Sequence, residues 1–355
     1  MNQALVDKIA NAVLYEGYIL YPYRPSVKNR QRWFFGGLCP QSYSLAQGGT
    51  EAWAMQTECL VLGSRHTALE VRVRFLHLLA RLVGELAQPV VELPADREPA
   101  FRVVESLQVG DKHFYTWQEA VERTVRLGEL NLEEMIDRPL RRGFAFPERR
   151  EREPLRCPTG PIVGVLVREQ QAIEGLVELS AEQVGEGLFK VRVKILNHTP
   201  LEDAGQKSRD EALLRSLVST HTILGVREGE FGSLMDPPDA WREIAAGCRN
   251  EGTWPVLVGE AGAKDTMLSS PIILYDYPEI APESPGDLFD ALEIDEILTL
   301  RIQALTEEEK QTMAAVDERA RALLHRTEAL TEDQVRGLHG TFRGLRPVSA
   351  EGYHE

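Results

Sequence analysis

Between Lys264 and Arg301 the chain carries nine acidic residues and no basic one, most of them in "SSPIILYDYPEIAPESPGDLFDALEIDEIL", Ser269 to Leu298. Carboxylates at that density can hold a divalent cation, work as paired acid and base, or form a surface that another protein reads. A cation loop needs carboxylates at regular short spacing with a glycine at the turn. Here proline punctuates the loop "YDYPEIAPES", and Tyr275, Tyr277 and Ile280 are threaded between Asp276, Glu279 and Glu283. That mixture fits a proline-braced docking loop better than a metal site. Part of the acidity has a local reason. Ser284 fits a helix N-cap, Pro285 the first helical position and Asp287 the third, facing the positive end of the helix dipole. Leu288, Leu292, Ile294, Leu298 and Ile302 would then form an apolar stripe, with Asp290, Glu293 and Glu296 on or near the wet side.

The other chemical candidates are less specific. "WPVLVGEAGAKDT" runs a strand into a glycine-containing loop, but a phosphate loop needs G-x-x-x-x-G-K-[ST]. Ala263 precedes Lys264 and Asp265 follows it, so an ordinary surface loop is expected. The eight histidines are scattered, with no HxxxH or HExxH; His77 and His221 fall in apolar strands and read as core or edge residues. Cys39, Cys59, Cys157 and Cys248 form no CxxC pair and lie near no histidine at zinc-ligand spacing. Cys39, in "GGLCP", is the best nucleophile candidate, because neighbouring glycines let a ligand approach. Neither a metal nor a cofactor is expected. "YPYRPSVKNRQRWFF" (21–35) sets Arg24, Lys28, Arg30 and Arg32 among aromatics that include Tyr23 and Trp33. Such interleaving binds single-stranded nucleic acid in some proteins. A net charge of −15 argues against nucleic acid and for a cationic, aromatic protein-contact surface.

The scaffold that positions these groups has 355 residues, enough for two domains or one large one. Residues 1–200 hold 25 basic and 25 acidic residues; residues 201–355 hold 15 and 30 and carry the whole −15. The split suggests a β-rich domain over 1–200 and an acidic, α-rich region over 201–355, packed on or beside it, with either a partner of its own or ordinary solvated helices. A helix is expected over 3–15. Strands are expected at 18–23, 30–39, 54–62, 68–82, 161–169, 172–180, 188–197, 220–228 and 253–259. Leu69, Val71, Val73 and Phe75 alternate with charged or polar residues; beyond His77 the run is ambiguous between strand and helix. Thr116 and Glu119 have capping-box spacing before "TWQEAVERTVRL", which predicts a helix. Seven arginines and little periodicity make 138–158 a long exposed connection. The C-terminal third reads as helical, with Thr306/Glu309 and Thr331/Gln334 as further capping boxes. The expected fold is α+β, with an antiparallel β-sandwich or a twisted sheet as its core. The N-terminal "MNQALVDKIANAVLYEG" is neither a signal-peptide core nor a membrane span, and no other apolar run is long enough to insert in a membrane. Isolated cysteines fit a reducing cytoplasm.

Two stretches, "YEGYILYPYRPSVKNRQRWFFGGLCP" and "SSPIILYDYPEIAPESPGDLFDALEIDEILTLRI", together resemble an uncharacterised bacterial family associated with gene clusters of nickel–iron uptake hydrogenases. The likeness extends through "NEGTWPVLVG" and "LLHRTEALTEDQVRGLHGTFR". The resemblance implies an accessory role in assembly or maturation, with a hydrogenase subunit or maturation factor as partner, and supplies no catalytic motif. The chain lacks the cysteine sets of an iron–sulfur protein or a nickel-bound subunit. The reading is therefore a non-catalytic cytoplasmic accessory protein. It would meet its partner through Tyr23, Arg24, Lys28, Arg30, Arg32 and Trp33, and through Asp276, Tyr277, Glu279, Glu283, Asp290 and Glu293. The acidic members are expected to stay accessible, without a basic partner in the chain. The alternative is an enzyme of unknown reaction whose site is assembled from His221, Cys39 and buried carboxylates.

Overall fold

Val71, Val73 and Phe75 alternate with Arg72 and Arg74, and this period-2 run of β-branched and aromatic residues lies in the element that organises the molecule. The computed structural model describes residues 3–15, 35–94, 99–136, 138–158, 160–279, 302–316 and 318–331. In it, the stretches expected as separate strands at 54–62 and 68–82 are one strand, β1, Ala54–Val90. The ambiguous residues beyond His77 continue it. The kink between its halves is held by Thr67, whose hydroxyl accepts from Ser64 N and donates to Glu228 O.

At 37 residues β1 far exceeds the usual strand of about 3–10, so it must change neighbours along its length. On one edge it pairs with β10 (Leu188–Asn197), then β5 (Trp117–Asn131), then β2 (Phe101–Val104). On the other it pairs with β11 (Val218–Gly232), then β8 (Ile162–Gln170). All these pairings are antiparallel. Beyond β10 the sheet continues through β9 (Ile173–Gly185) to β6 (Leu140–Phe146); beyond β11 it continues through β13 (Thr266–Ser270) to β12 (Trp254–Leu257); β7 (Arg149–Arg156) pairs with β8. A hairpin of β3 (Ser106–Val109) and β4 (Lys112–Tyr115) forms a second, two-stranded sheet and packs through Leu107, Val109 and Phe114 against Val83, Leu155 and Leu166. The division expected near residue 200 falls between β10 and β11, which flank β1 in the same sheet.

Of the two expected cores, the twisted sheet describes the result. Three strand steps separate β1 from β6, about 14 Å in a flat sheet. Yet Phe75 of β1 and Phe146 of β6 have ring centroids only 5.8 Å apart. The sheet curls back on itself and encloses Val71, Val73, Val177, Val191, Val193 and Leu224 in its main core. Its outer face is covered by α1 (Gln3–Tyr15), which buries Val6, Ile9, Ala10 and Val13 against Ile223, Val256 and Leu268. Short helices α2 (Gln41–Ala46), α3 (Glu133–Ile136), α4 (Arg209–Leu213) and α5 (Arg242–Ala246) fill connections. Among the described residues strand far outweighs helix, so the α+β expectation holds as a mainly antiparallel sheet.

Two expectations are corrected. "TWQEAVERTVRL" is strand β5, not helix: Val121, Arg123, Val125 and Leu127 turn inward and Glu122, Thr124 and Arg126 outward. The capping threonine instead links strands, since the Thr116 hydroxyl donates to Val104 O at 2.6 Å and accepts from Val83 N at 3.0 Å. Residues 138–158 are not a connection; they form β6 and β7, whose charges are those of sheet edges. Arg141 pairs with Glu178 at 2.7 Å, and Arg168 of β8 with Glu153 at 2.9 Å. The expected helices beyond residue 280 lie mostly outside the described residues. Those described are α6 (Glu307–Val316) and α7 (Glu318–Glu328), with the Thr306/Glu309 capping box formed and Lys310 bridging Glu307 and Glu328.

Candidate functional site

The described part of the acidic segment lies at the β12 edge of the sheet. In the antiparallel ladder Val258 N donates to Thr266 O of the β13 side, so alternate residues of β12 bond inward and Pro255 and Leu257 face the free edge. Pro255 has no N–H to offer. Leu257 is capped: its N–H donates to Asp276 Oδ1 at 2.8 Å and its carbonyl accepts from Tyr277 N at 2.7 Å. Asp276 Oδ2 accepts from the Ser233 hydroxyl at 2.5 Å, and that Ser Oγ accepts in turn from Met235 N and Asp236 N. Asp276 is thus half-buried and plugs an edge that would otherwise template another strand. Tyr277, at φ 56°, packs against the main core. Both residues were expected to face a partner; the structure gives them internal work.

The chain leaves β13 opposite Trp254 and returns beside Leu257, so residues 271–277 run along the β12 edge. Ile272 and Leu274 turn inward against Val256 and Val258. Ile273 and Tyr275 turn outward, 70% and 79% exposed, with Trp254 43% exposed at the same end. Glu279 follows, also exposed. Among the described residues no lysine or arginine forms an ion pair with Asp276 or Glu279. Sequence reading named the acids and passed over Ile273 and Trp254. The alternation within "PIILYDY" was the available signal.

The residues of the enzyme alternative do not converge. Cys39 is buried beside Tyr43 and Leu201, its thiol donating to Ala52 O at 3.1 Å. Burial, with the charge of Glu51, pushes that thiol up to about 11. Burial raises Cys59 further, and burial with the Glu58 charge lifts Cys248 to about 11, so none of these three is a ready thiolate. His221 lies across the ladder from Arg74, on the face under α1, with Nδ1 3.0 Å from Ser219 O; burial and the Arg74 charge lower it to about 3. The buried carboxylate Glu58 is spent on Arg192 Nε at 2.7 Å and Arg249 N at 2.8 Å. Lys264, in the loop examined for phosphate, pairs with Glu230 at 3.5 Å. Among the described residues no three of His, Cys, Asp and Glu are grouped to hold a metal ion.

A cleft of about 410 Å³ opens on the sheet near the β5 bulge, lined by Ala68, Glu70, Arg126, Gly128, Arg227 and Asp265 among others. That volume suits a small ligand. Its charges are partly consumed by Glu129–Arg227 and Glu70–Arg72 pairs, and no histidine, cysteine or serine lines it among the described residues. Tyr23, Arg24, Lys28, Arg30, Arg32, Trp33, Glu283, Asp290 and Glu293 lie outside the described residues. No helix among the described residues is long and apolar enough to cross a membrane. No protein-family model matches the chain, and no curated protein does.

Proposed function

We propose that the chain is a binding protein whose capped β12 edge presents Trp254, Ile273 and Tyr275, flanked by acidic residues, to a partner protein. The exposure of Ile273 and Tyr275 on a segment whose neighbours Ile272 and Leu274 are held in the core carries this reading. Large apolar side chains fixed on the surface by a rigid frame cost little entropy when a partner covers them. Aromatic anchors with an acidic rim are a common interface anatomy. The hydrogenase resemblance supplies the partner: a subunit or maturation factor of a nickel–iron hydrogenase, met in the cytoplasm, with this chain as a non-catalytic accessory. The raised thiols and lowered histidines favour binding over catalysis. The acidic residues beyond 280, read as helical, would extend the surface and steer the encounter.

The test is recovery of hydrogenase subunits with the tagged full chain from its host, compared with the Ile273→Ser/Tyr275→Ser double variant. The variant should fold as the wild type does and lower the affinity by roughly 10- to 100-fold, the scale of about 1.4–2.7 kcal/mol for losing two interface anchors. Recovery of no hydrogenase component, or equal recovery by the variant, would overturn the reading.

A further inference from the structure

The β12 edge is closed to one kind of partner. A strand added to a sheet needs the outward N–H and C=O groups of the edge. Pro255 has no N–H, and both backbone groups of Leu257 are taken, by Asp276 Oδ1 at 2.8 Å and by Tyr277 N at 2.7 Å. Recognition here therefore runs through side chains. Ile273 and Tyr275, both exposed, lie two residues apart in the chain, a separation of at most about 7 Å. One turn of an α-helix rises about 5.4 Å, so a helix laid along this segment can seat successive turns on the two anchors.

The charge around the anchors has one sign. Between Ser233 and Glu279 the chain carries eight acidic and three basic residues. Two of the bases are consumed, Arg242 by Asp239 and Lys264 by Glu230. Glu251, three residues before Trp254, and Glu279, two residues after Tyr277, are exposed, as is Asp236. Asp236 is held at the Asp276 end: its N–H and that of the exposed Met235 donate to Ser233 Oγ, whose hydroxyl donates to Asp276 Oδ2. Among the described residues Asp236, Glu251 and Glu279 form no ion pair, and Arg249 is the one basic residue of the stretch without one. Trp254, Ile273 and Tyr275 thus lie between unpaired carboxylates at both ends. A partner that brings cations to them gains in encounter rate and register, and an acidic one is turned away.

We infer, resting on the binding role proposed above, that this edge takes a basic amphipathic helix of the partner protein. Its apolar residues, at i, i+4 and i+7, cover Trp254, Ile273 and Tyr275. Lysines or arginines on its flanks reach Glu251 at one end and Asp236 and Glu279 at the other.

The experiment titrates the full chain into fluorescein-labelled model peptides of about 18 residues and follows anisotropy. One peptide carries leucine at helical spacing with lysine elsewhere, the second has glutamate in place of lysine, and the third alternates valine and lysine as a strand. The leucine–lysine peptide should bind saturably with a micromolar midpoint. Its affinity should fall at least about tenfold in Ile273→Ser/Tyr275→Ser, and about tenfold in Asp236→Asn/Glu251→Gln/Glu279→Gln, which keeps the anchors and removes the rim charge. Equal or tighter binding of the glutamate or the strand peptide, or no loss in the charge-neutral variant, overturns the basic helix while leaving the edge as the binding face. Binding of the leucine–lysine peptide that the anchor variant leaves unchanged overturns the helix site, and pull-down of hydrogenase components by that variant still decides the wider reading. Should the charge-neutral variant not fold, salt replaces it: wild-type affinity that drops at least about tenfold between about 0.1 and 0.5 M supports the rim contacts, and salt-independent binding overturns them.

Discussion

Removing the Asp276 carboxylate should loosen the β12 edge, and the size of the effect follows from its contacts. Asp276→Ala deletes the acceptor of Leu257 N and of the Ser233 hydroxyl. Hydrogen bonds to a charged acceptor are worth about 1.5–3 kcal/mol each, and an abandoned backbone donor adds a desolvation cost of about 1–3 kcal/mol. Leu257 is buried, but Asp276 is only half-buried, so water recovers part of the loss. A net cost of about 2–3 kcal/mol is expected, against about 1 kcal/mol for Asp276→Asn, which keeps an acceptor for Leu257, and within about 0.5 kcal/mol for the exposed Glu279→Ala. With a urea slope of about 2–3 kcal/mol per molar, the alanine variant should unfold near 1 M earlier. Equilibrium unfolding in urea of the three variants decides it. The opened edge should also self-associate, seen as a concentration-dependent sedimentation coefficient. If Asp276→Ala unfolds within 0.5 kcal/mol of wild type, about the scatter of a neutral surface change, the plug is not holding the edge and the residue is free for a partner, as its sequence context suggested.

Other outcomes follow from buried ionisable groups. His77 is lowered to about 4 by burial and the Arg123 charge, and His221 to about 3, so each is neutral in the fold but protonates near 6.5 when unfolded. Their contribution is complete above pH 6.5 and is lost as pH falls toward 4 and 3, at up to about 1.4 kcal/mol per pH unit each; unfolding free energies across that range should show the slope, and His77→Gln should flatten it. Glu58→Gln should cost about 2–3 kcal/mol, because Arg192 and Arg249 N lose a buried charged acceptor, measurable by thermal melting; a change under about 0.5 kcal/mol would show that solvent compensates. Cys39 should resist thiol reagents at neutral pH in the folded chain and react once urea is added, as mass spectrometry of the modified peptide would show; fast native labelling would contradict its burial.

The elements with one wet face were legible. Helix 3–15 and strand 188–197 appear with the expected bounds, because their apolar residues repeat with one clean period. The failures share a cause. Val121, Thr124 and Val125 fit either period over a short window, and a cap-like Thr116 tipped the reading to helix; only pairing with β1 decides it. The arginines of 138–158 looked like loop because edge strands carry charge where inner strands carry apolar residues. At the candidate site the acidic run was visible, but the plug was not. Whether Asp276 faces a partner or Leu257 depends on which residues of β12 point outward, a matter of register that one strand's sequence does not contain.

The 37-residue β1 also sets a timetable for folding. It leaves the ribosome early, yet Leu60 pairs with Gly232 and Ala54 with Leu196, partners made much later. At about 5–20 residues per second, roughly 10–30 s pass between the synthesis of Leu60 and that of Gly232. During that interval Leu69, Val71, Val73, Phe75 and Leu76 have no finished sheet to enter, and a long apolar strand without neighbours is what aggregates. The sheet that curls around this strand is therefore closed by contacts of long sequence separation, a topology that folds slowly as a rule and leaves the apolar strand uncovered until its last neighbours arrive.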